Sequence, residues 1–271
     1  MSKIGIIAGG GKLPLIIGEN LKQSGNSIIF FCIESFAKKN NYIKYENFFF
    51  KLEGLYKLIS LLKDSGIKEI IMAGNVKRPS LNDFRFDYKT VKFIKEYALQ
   101  PKGDNKLLLT IVKFFEKEGF VFIDWRKICS NLFINENNPT KRKPNKLNLN
   151  NLKKGLSIFS TLGKLDLSQS MIIQNNMILG VEAAEGTDEL IKRCYKYKKK
   201  GDKGVLLKLS KYNQDKRFDV PVIGLNTLKL LKRYDYEGVF IEKDNLIILE
   251  KDQSISYCNN NSLFISSVKK I

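Results

Sequence analysis

Apolar positions along the chain alternate between two rhythms. Lys3–Ala8 is a short unbroken apolar run, and Leu13–Gln23 then places Leu13, Ile16, Ile17 and Leu21 at helical spacing. Ser27–Ile33 is a second apolar run. Leu55–Ser65 is again periodic at helical spacing and is closed by Gly66, with the run Lys68–Ala73 after it. Lys106–Lys117 is a further amphipathic stretch ended by Gly119, followed by Phe120–Asp124. Unbroken runs of this length predict strands buried on both faces, and the periodic stretches predict the helices that cover them. The first part of the chain therefore reads as a parallel sheet of Rossmann-like α/β type.

The pattern breaks at Ile134–Asn151, where INENNPTKRKPNKLNLNN carries two prolines, seven asparagines and the basic cluster Lys141-Arg142-Lys143. Such composition predicts an exposed connector. Beyond it the rhythm restarts, with a helix near Leu152–Thr161 and strands at Ser170–Gln174 and Met177–Glu182 joined in a hairpin at Asn175-Asn176. A helix at Gly186–Tyr195, a strand at Val205–Leu209 and a helix at Asn226–Lys232 follow. Strands are then expected at Gly238–Ile241 and Leu246–Leu249. The fold class expected is α/β, as two α/β domains joined by a polar linker. Residues 1–134 form the Rossmann-like domain, 135–151 the linker and 152–271 the second domain. A length of 271 residues suits this division.

Composition narrows the chemistry. The chain has no histidine, which removes Ser-His-Asp triads, Cys-His pairs, His-ligated zinc and phosphohistidine. Reactions here rest on carboxylates, lysine, arginine, backbone amides or a hard metal ion. The net charge is +19, but the basic residues divide into 40 Lys and 7 Arg, alongside 24 Asn. Apart from Arg these are residues with A/T-rich codons, so part of the charge reads as mutational bias at tolerant surface positions. Scarce Arg argues against nucleic acid, whose bases and phosphates favour bidentate guanidinium contacts. An anionic membrane surface stays open as a use for the surplus. Cys32, Cys129, Cys194 and Cys258 lie far apart without CxxC spacing, as small core hydrophobes do. With no signal peptide and no apolar stretch of spanning length, a cytoplasmic protein is expected.

Five segments interrupt the apolar periodicity. Ala8-Gly9-Gly10-Gly11-Lys12-Leu13-Pro14 lets backbone approach a ligand ahead of a helix N-terminus, without the spacing of a dinucleotide or Walker loop. Gly74-Asn75-Val76-Lys77-Arg78-Pro79 puts an amide and two cations beyond a strand. Pro101-Lys102-Gly103-Asp104-Asn105-Lys106 offers Asp104 as a helix cap or a cation ligand. In Gly180–Asp188, the acids Glu182, Glu185 and Asp188 surround a glycine, open to a divalent cation, with Thr187 or Asp188 as an alternative cap. In Gln214–Gly224, Asp215, Arg217 and Asp219 alternate, so an extended backbone would aim all three to one face.

Taken together, GIIAGGGKLP, GNVKRP, PKGD, GVEAAEGTDELIKR and QDKRFDVPVIGLNT, in this order and spacing, resemble the UDP-2,3-diacylglucosamine pyrophosphatases of lipid A biosynthesis of the non-calcineurin type. The resemblance covers essentially the whole chain. It implies hydrolysis of the pyrophosphate to 2,3-diacylglucosamine 1-phosphate and UMP, with Mg²⁺ as cofactor and water directed at the phosphorus next to the sugar. The histidine-free composition agrees with this type. Position by position, it implies Asp219 as the catalytic acid that ligates Mg²⁺ or activates water, with Asp215 and Arg217 beside it. Glu185 and Asp188 become further metal candidates. Gly9, Gly10, Gly11, Lys12, Asn75, Asp104 and Thr187 would contact the nucleotide-sugar, and Lys77 and Arg78, with Arg217, the pyrophosphate. The partners implied are the lipid-linked UDP-sugar and the cytoplasmic face of the inner membrane, with no nucleic acid; oligomeric state is left open. Phe48–Phe50 or the Leu107–Phe115 helix are candidates to line an acyl cleft. The alternatives are hydrolysis of another nucleotide-sugar, or non-catalytic binding of one.

Overall fold

A computed structural model describes residues 2–51, 54–76, 104–164, 168–211, 215, 217–218 and 220–269. The first unit contains β1 (Lys3–Ala8), α1 (Leu13–Gln23), β2 (Ser27–Ile33), β3 (Asn47–Phe50), α2 (Leu55–Asp64), β4 (Glu69–Ala73), α3 (Asp104–Lys117) and β5 (Val121–Phe122). All five strands are parallel, in the order β3-β2-β1-β4-β5. β1 lies in the middle, which is why every residue after Lys3 in it is buried and its sequence shows no alternation. One face of the sheet, with Ile7, Phe31 and Ile70, packs against Leu58 and Leu62 of α2 and Phe115 of α3. Against β2 packs α1, and Gly18 makes the approach possible: a Cβ there would stand 2.5 Å from the Phe30 ring.

The chain builds β2 and β3 on one side of β1 and then continues on the other side with β4. Between β1 and β4 the strand order reverses, and the crevice beyond their carboxyl ends is where open α/β sheets take ligands. The two loops there are fastened together. Gly9 N–H donates to Ala73 O (2.9 Å), Gly10 N–H to Asn75 O (2.8 Å) and Asn75 N–H to Gly10 O (2.9 Å). Only glycine permits this approach. A Cβ at Gly9 would lie 2.9 Å from Asn75 O, and one at Gly74 would lie 2.7 Å from Gly10 O, at a φ of +95° that side chains avoid.

The second unit contains α4 (Lys146–Lys164), β6 (Ser170–Gln174), β7 (Met177–Val181), α5 (Thr187–Cys194), β8 (Val205–Lys208), β9 (Val222–Ile223), α6 (Leu225–Arg233), β10 (Gly238–Glu242), β11 (Ile247–Ile248), α7 (Lys251–Asn260) and β12 (Phe264–Val268). Its main sheet runs β12-β10-β8-β6-β7, with β12, β10 and β8 parallel, β6 antiparallel to β8, and β7 antiparallel to β6. The hairpin turns at Asn175 and Asn176, both left-handed at φ 51° and 59°, as a tight two-residue turn demands. Successive residues face opposite cores: Ile172, Leu206, Val239 and Ile265 join α5, α6 and α7, whereas Ile173, Leu207, Phe240 and Phe264 pack towards α4. β9 and β11 form a separate parallel pair.

The two units divide at Ser130/Asn131, except that Asp215–Asp219 belongs to the first. The stretch read as a linker is hydrogen-bonded into the second unit. Ser267 N–H donates to Asn137 O (2.8 Å), Ile265 N–H donates to Thr140 Oγ1 (2.9 Å), and Arg142 pairs with Glu237 at 3.1 Å. The reason is an edge: β12 ends the sheet, its backbone groups need partners, and a polar connector supplies them. Helix α4 correspondingly begins at Lys146 rather than near Leu152, with Asn148 and Asn151 buried. All four cysteines are free and buried, as expected. Burial pushes the thiols of Cys32, Cys129 and Cys258 up to about 12 and that of Cys194 to about 11.

Because Gly74 combines a left-handed backbone with a contact no Cβ could tolerate, Gly74→Ala is expected to destabilise the protein by about 1–3 kcal/mol. Thermal unfolding measures this, with Gly25→Ala as control: its Cβ would meet nothing within 4 Å, so strain alone remains.

Candidate functional site

At the carboxyl edge of the first sheet, Gly9, Gly10 and Gly11 lead into α1. No side chain caps the first turn of this helix, no acid lies in it, and Pro14 sits within it. A helix start of this kind favours an anion, because its amides carry partial positive charge. Lys12 is the residue at the helix cap. Asn75 spends its backbone on Gly10 and carries its side-chain amide beside Gly11. Asp104 is the first residue of α3. Lys77, Arg78 and Asp219 lie outside the described residues.

The Asp215 segment reaches the same unit at the end of β5. The extended alternation expected there is replaced by a turn: Phe218 N–H donates to Asp215 O at 3.1 Å, and Arg217 N–H to Asp215 Oδ1 at 3.0 Å. The Arg217 guanidinium closes back on Asp215 (Nη2 to Oδ2, 2.8 Å) and approaches Glu116 at 3.8 Å. Partial burial pushes the Asp215 carboxyl up, but the Arg217 hydrogen bonds outweigh it and hold the group below its ordinary range. A local ion pair satisfies this carboxylate more completely than extended backbone would. Beside it Arg126 grips Asp124 through Nε (2.8 Å) and Nη2 (2.6 Å), which lowers the pKa of that carboxyl as well. Between these pairs Trp125, buried to 1%, donates its indole N–H to Arg217 O at 3.0 Å. Phe218 meets Phe122 edge-on at 4.9 Å. The hydrogen bond and the ring pair each contribute roughly 1 kcal/mol.

The acidic motif lies in the second unit, and its carboxylates are put to uses the sequence does not reveal. Glu185 accepts from Arg193 Nε (2.9 Å) and Ala183 N–H (3.1 Å). Its burial acts to raise the pKa, but bonds from its own amide, Arg193 and Ala183 prevail and lower it. Asp188 accepts from Asn226 (2.7 Å) and Thr227 (2.8 Å), joining the start of α5 to the start of α6. Thr187 is the hub of a buried polar group: it donates to Glu182 Oε1 (3.0 Å), accepts from Lys208 Nζ (2.5 Å) and lies 3.1 Å from Ser170 Oγ. Lys208 is only 5% exposed, and Glu182 Oε2 is buried without a partner. At the end of β10, Glu242 Oε2 accepts both the amide (2.7 Å) and the hydroxyl (2.5 Å) of Ser210, and Oε1 accepts from Asn245 (2.8 Å). Sequence reasoning missed Lys208 and Glu242; each is the charged last residue of a strand, where a polar end to an apolar run was the available signal.

The structure thus brings Gly9, Gly10, Gly11, Lys12 and Asn75 into one unit with Asp215 and Arg217, and places Glu185, Thr187 and Asp188 in the other. A divalent cation needs oxygen ligands turned away from protein donors. Glu185 and Asp188 spend theirs on protein groups, and among the described residues no three acidic or sulfur side chains converge. These residues alone do not fit such an ion. Of the candidates for an acyl cleft, Phe50, Val112, Phe114 and Phe115 are buried in the core, whereas Phe48, which stacks on Phe31, and Phe49, Leu108, Leu109 and Ile111 are half-buried.

Residues 3–132 match the family model of the LpxI N-terminal domain, and residues 135–266 that of the LpxI C-terminal domain. The UDP-2,3-diacylglucosamine pyrophosphatase LpxI of Caulobacter vibrioides is 27% identical over 275 residues, an alignment that spans 99% of this chain and 98% of that protein. With both domains present in order over nearly its whole length, the chain belongs to the LpxI family.

Proposed function

We propose that the chain hydrolyses UDP-2,3-diacylglucosamine to 2,3-diacylglucosamine 1-phosphate and UMP. What carries the reading is the Asp215–Asp219 segment, which belongs to the same unit as the glycine loops although its neighbours in the chain belong to the other; the relative's activity supplies the substrate. Water adds its oxygen to the phosphorus next to the sugar, the P–O bond to UMP breaks, and UMP leaves with the bridging oxygen. The glycine loop and the start of α1 offer amides to the phosphate oxygens. Asp219 takes the proton of the attacking water, and the charges of Lys77 and Arg78 are assigned to the pyrophosphate. Arg217, closed on Asp215 by hydrogen bonds, shapes the turn before Asp219 and adds positive potential.

Mg²⁺ dependence belongs to the same proposal. The ion takes one or two carboxylates and fills its other positions with water and phosphate, so Asp219 together with the substrate's own oxygens suffices. When bound it withdraws charge from the pyrophosphate. Glu185 and Asp188 stay as candidates only if their protein bonds open.

The substrate is lipid-linked, and docking on an anionic membrane surface completes the reading. Among the described residues no helix is long and apolar enough to cross a membrane. Leu147 and Leu149 are 53% and 48% exposed at the start of α4, and Leu149 lines, with Lys143, Lys243 and Lys269, an open cleft of about 550 Å³. Exposed leucines beside a cleft lined in part by lysines suit an interface of acidic lipid.

Purified protein should release UMP from UDP-2,3-diacylglucosamine, and Asp219→Ala should lower kcat by about 10²-fold or more with the circular dichroism unchanged. Equal rates in the two proteins would remove Asp219 from the chemistry. EDTA should abolish turnover and added Mg²⁺ restore it; full activity in chelator would remove the metal. Flotation with phosphatidylglycerol vesicles should be lost as salt rises and weakened by Leu147→Asp/Leu149→Asp, whereas unchanged flotation in the double variant would exclude this surface.

A further inference from the structure

The chain contains one tryptophan, and its indole N–H reaches a carbonyl 92 positions later in sequence. That carbonyl belongs to Arg217, two residues before Asp219. The residue between them, Phe218, sets its ring edge-on against Phe122 at 4.9 Å and carries the Arg217 guanidinium over its face at 4.8 Å. The two residues preceding Asp219 are therefore tied to the first unit by independent means, one through backbone and the other through a ring. Both ties end on firm ground. Phe122 lies in β5, in register with Ile70 of β4. Trp125 is packed in the interior at 1% exposure, in a short 3₁₀ turn that Asp124 caps by accepting from the Arg126 amide at 3.1 Å.

We propose that Trp125, together with Phe122, is the positioning element of the catalytic segment: the pair holds Arg217 and Phe218, the two residues that precede Asp219 in the chain, at the end of β5. This rests on the reading that Asp219 acts on the pyrophosphate. A carboxylate that must meet a water in line with a phosphorus tolerates little displacement, and misplacement by about 1 Å costs on the order of 10²-fold in rate. Asp215 and Arg217 shape the turn through their own ion pair. They give the segment its form, whereas Trp125 and Phe122 give it its place. Neither Trp125 nor Phe122 needs to touch substrate for this role.

Trp125→Phe keeps an aromatic ring and removes the N–H. It should lower kcat about tenfold or more, leave KM within about twofold and far-UV circular dichroism unchanged, and lower the unfolding midpoint by a few degrees, as the loss of a buried hydrogen bond and part of a buried ring requires. Phe122→Leu should repeat the pattern and serves in its place if Trp125→Phe does not fold. A second measurement is independent of turnover, because the lone indole reports on the segment directly. In Phe218→Ala the segment loses its ring contact, so tryptophan emission should shift to the red and acrylamide quenching should rise about twofold or more. A kcat within about twofold of wild type, or a raised KM at unchanged kcat, overturns the positioning role. Quenching in Phe218→Ala equal to wild type overturns the anchor itself. If the wild-type protein turns over no UDP-2,3-diacylglucosamine, the functional reading falls, and the quenching comparison alone decides whether the anchor exists.

Discussion

Asp215–Asp219 must be held by a core to which its neighbours in sequence do not belong, and much of the arrangement follows from how that is achieved. Before the segment, Ser210 is locked to the buried Glu242 carboxylate by amide and hydroxyl together. After it, β9 pairs with β11 in the second unit. Between these fixed points the chain joins the first unit, where Trp125 and Phe122 receive it. The chain consequently passes between the units after Ser130, after Gln214 and after Asp219. A segment tethered at both ends loses far less conformational entropy on docking than a free one would, so one indole hydrogen bond and one ring pair are enough to place it.

The same economy governs the glycine loops. Gly9, Gly10 and Gly74 serve a backbone-to-backbone contact between the loops after β1 and β4. Flexibility is not their purpose here, since the hydrogen-bonded pair Gly10–Asn75 ties the two loops at the point where the strand order reverses. Any ligand that approaches this edge meets a surface already organised by main-chain bonds.

Buried polarity in the second unit follows the rule that an interior charge must be matched. Lys208 and Glu182 share Thr187 as an intermediary, Glu242 spends both oxygens on Ser210 and Asn245, and Glu182 Oε2, buried without a partner, is the exception. Arginine, scarce in this chain, appears where its planar fork matters: Arg126, Arg142, Arg193 and Arg217 each pair with a carboxylate. In the Arg217 pair the guanidinium closes the turn that carries it.

The strands and helices of the first unit were legible because apolar periodicity is a local property. Leu13–Gln23 and Ser27–Ile33 have the limits their pattern predicts, and the Asn175-Asn176 hairpin follows from the left-handed backbone that asparagine tolerates. Where partners come from far away, the sequence was silent. β3, β9 and β12 gave no clear signal, since edge position or short length leaves them without a distinct period, and α7, KDQSISYCNN, is too polar to show one. The asparagine-rich stretch at 135–151 reads as a solvated connector, yet its polar groups satisfy the open edge of β12, a need that exists only once the sheet is assembled. Motif chemistry was legible as residue types, and the absence of histidine alone removed whole classes of reaction. Which carboxylates are occupied was not legible. Glu185, Asp188 and Asp215 look alike as free acids on paper, and only folding brings Arg193, Asn226, Thr227 and Arg217 to their oxygens. Periodicity is written in neighbours along the chain, whereas the pairing of charges and the anchoring of Asp215–Asp219 depend on groups that only tertiary structure makes neighbours.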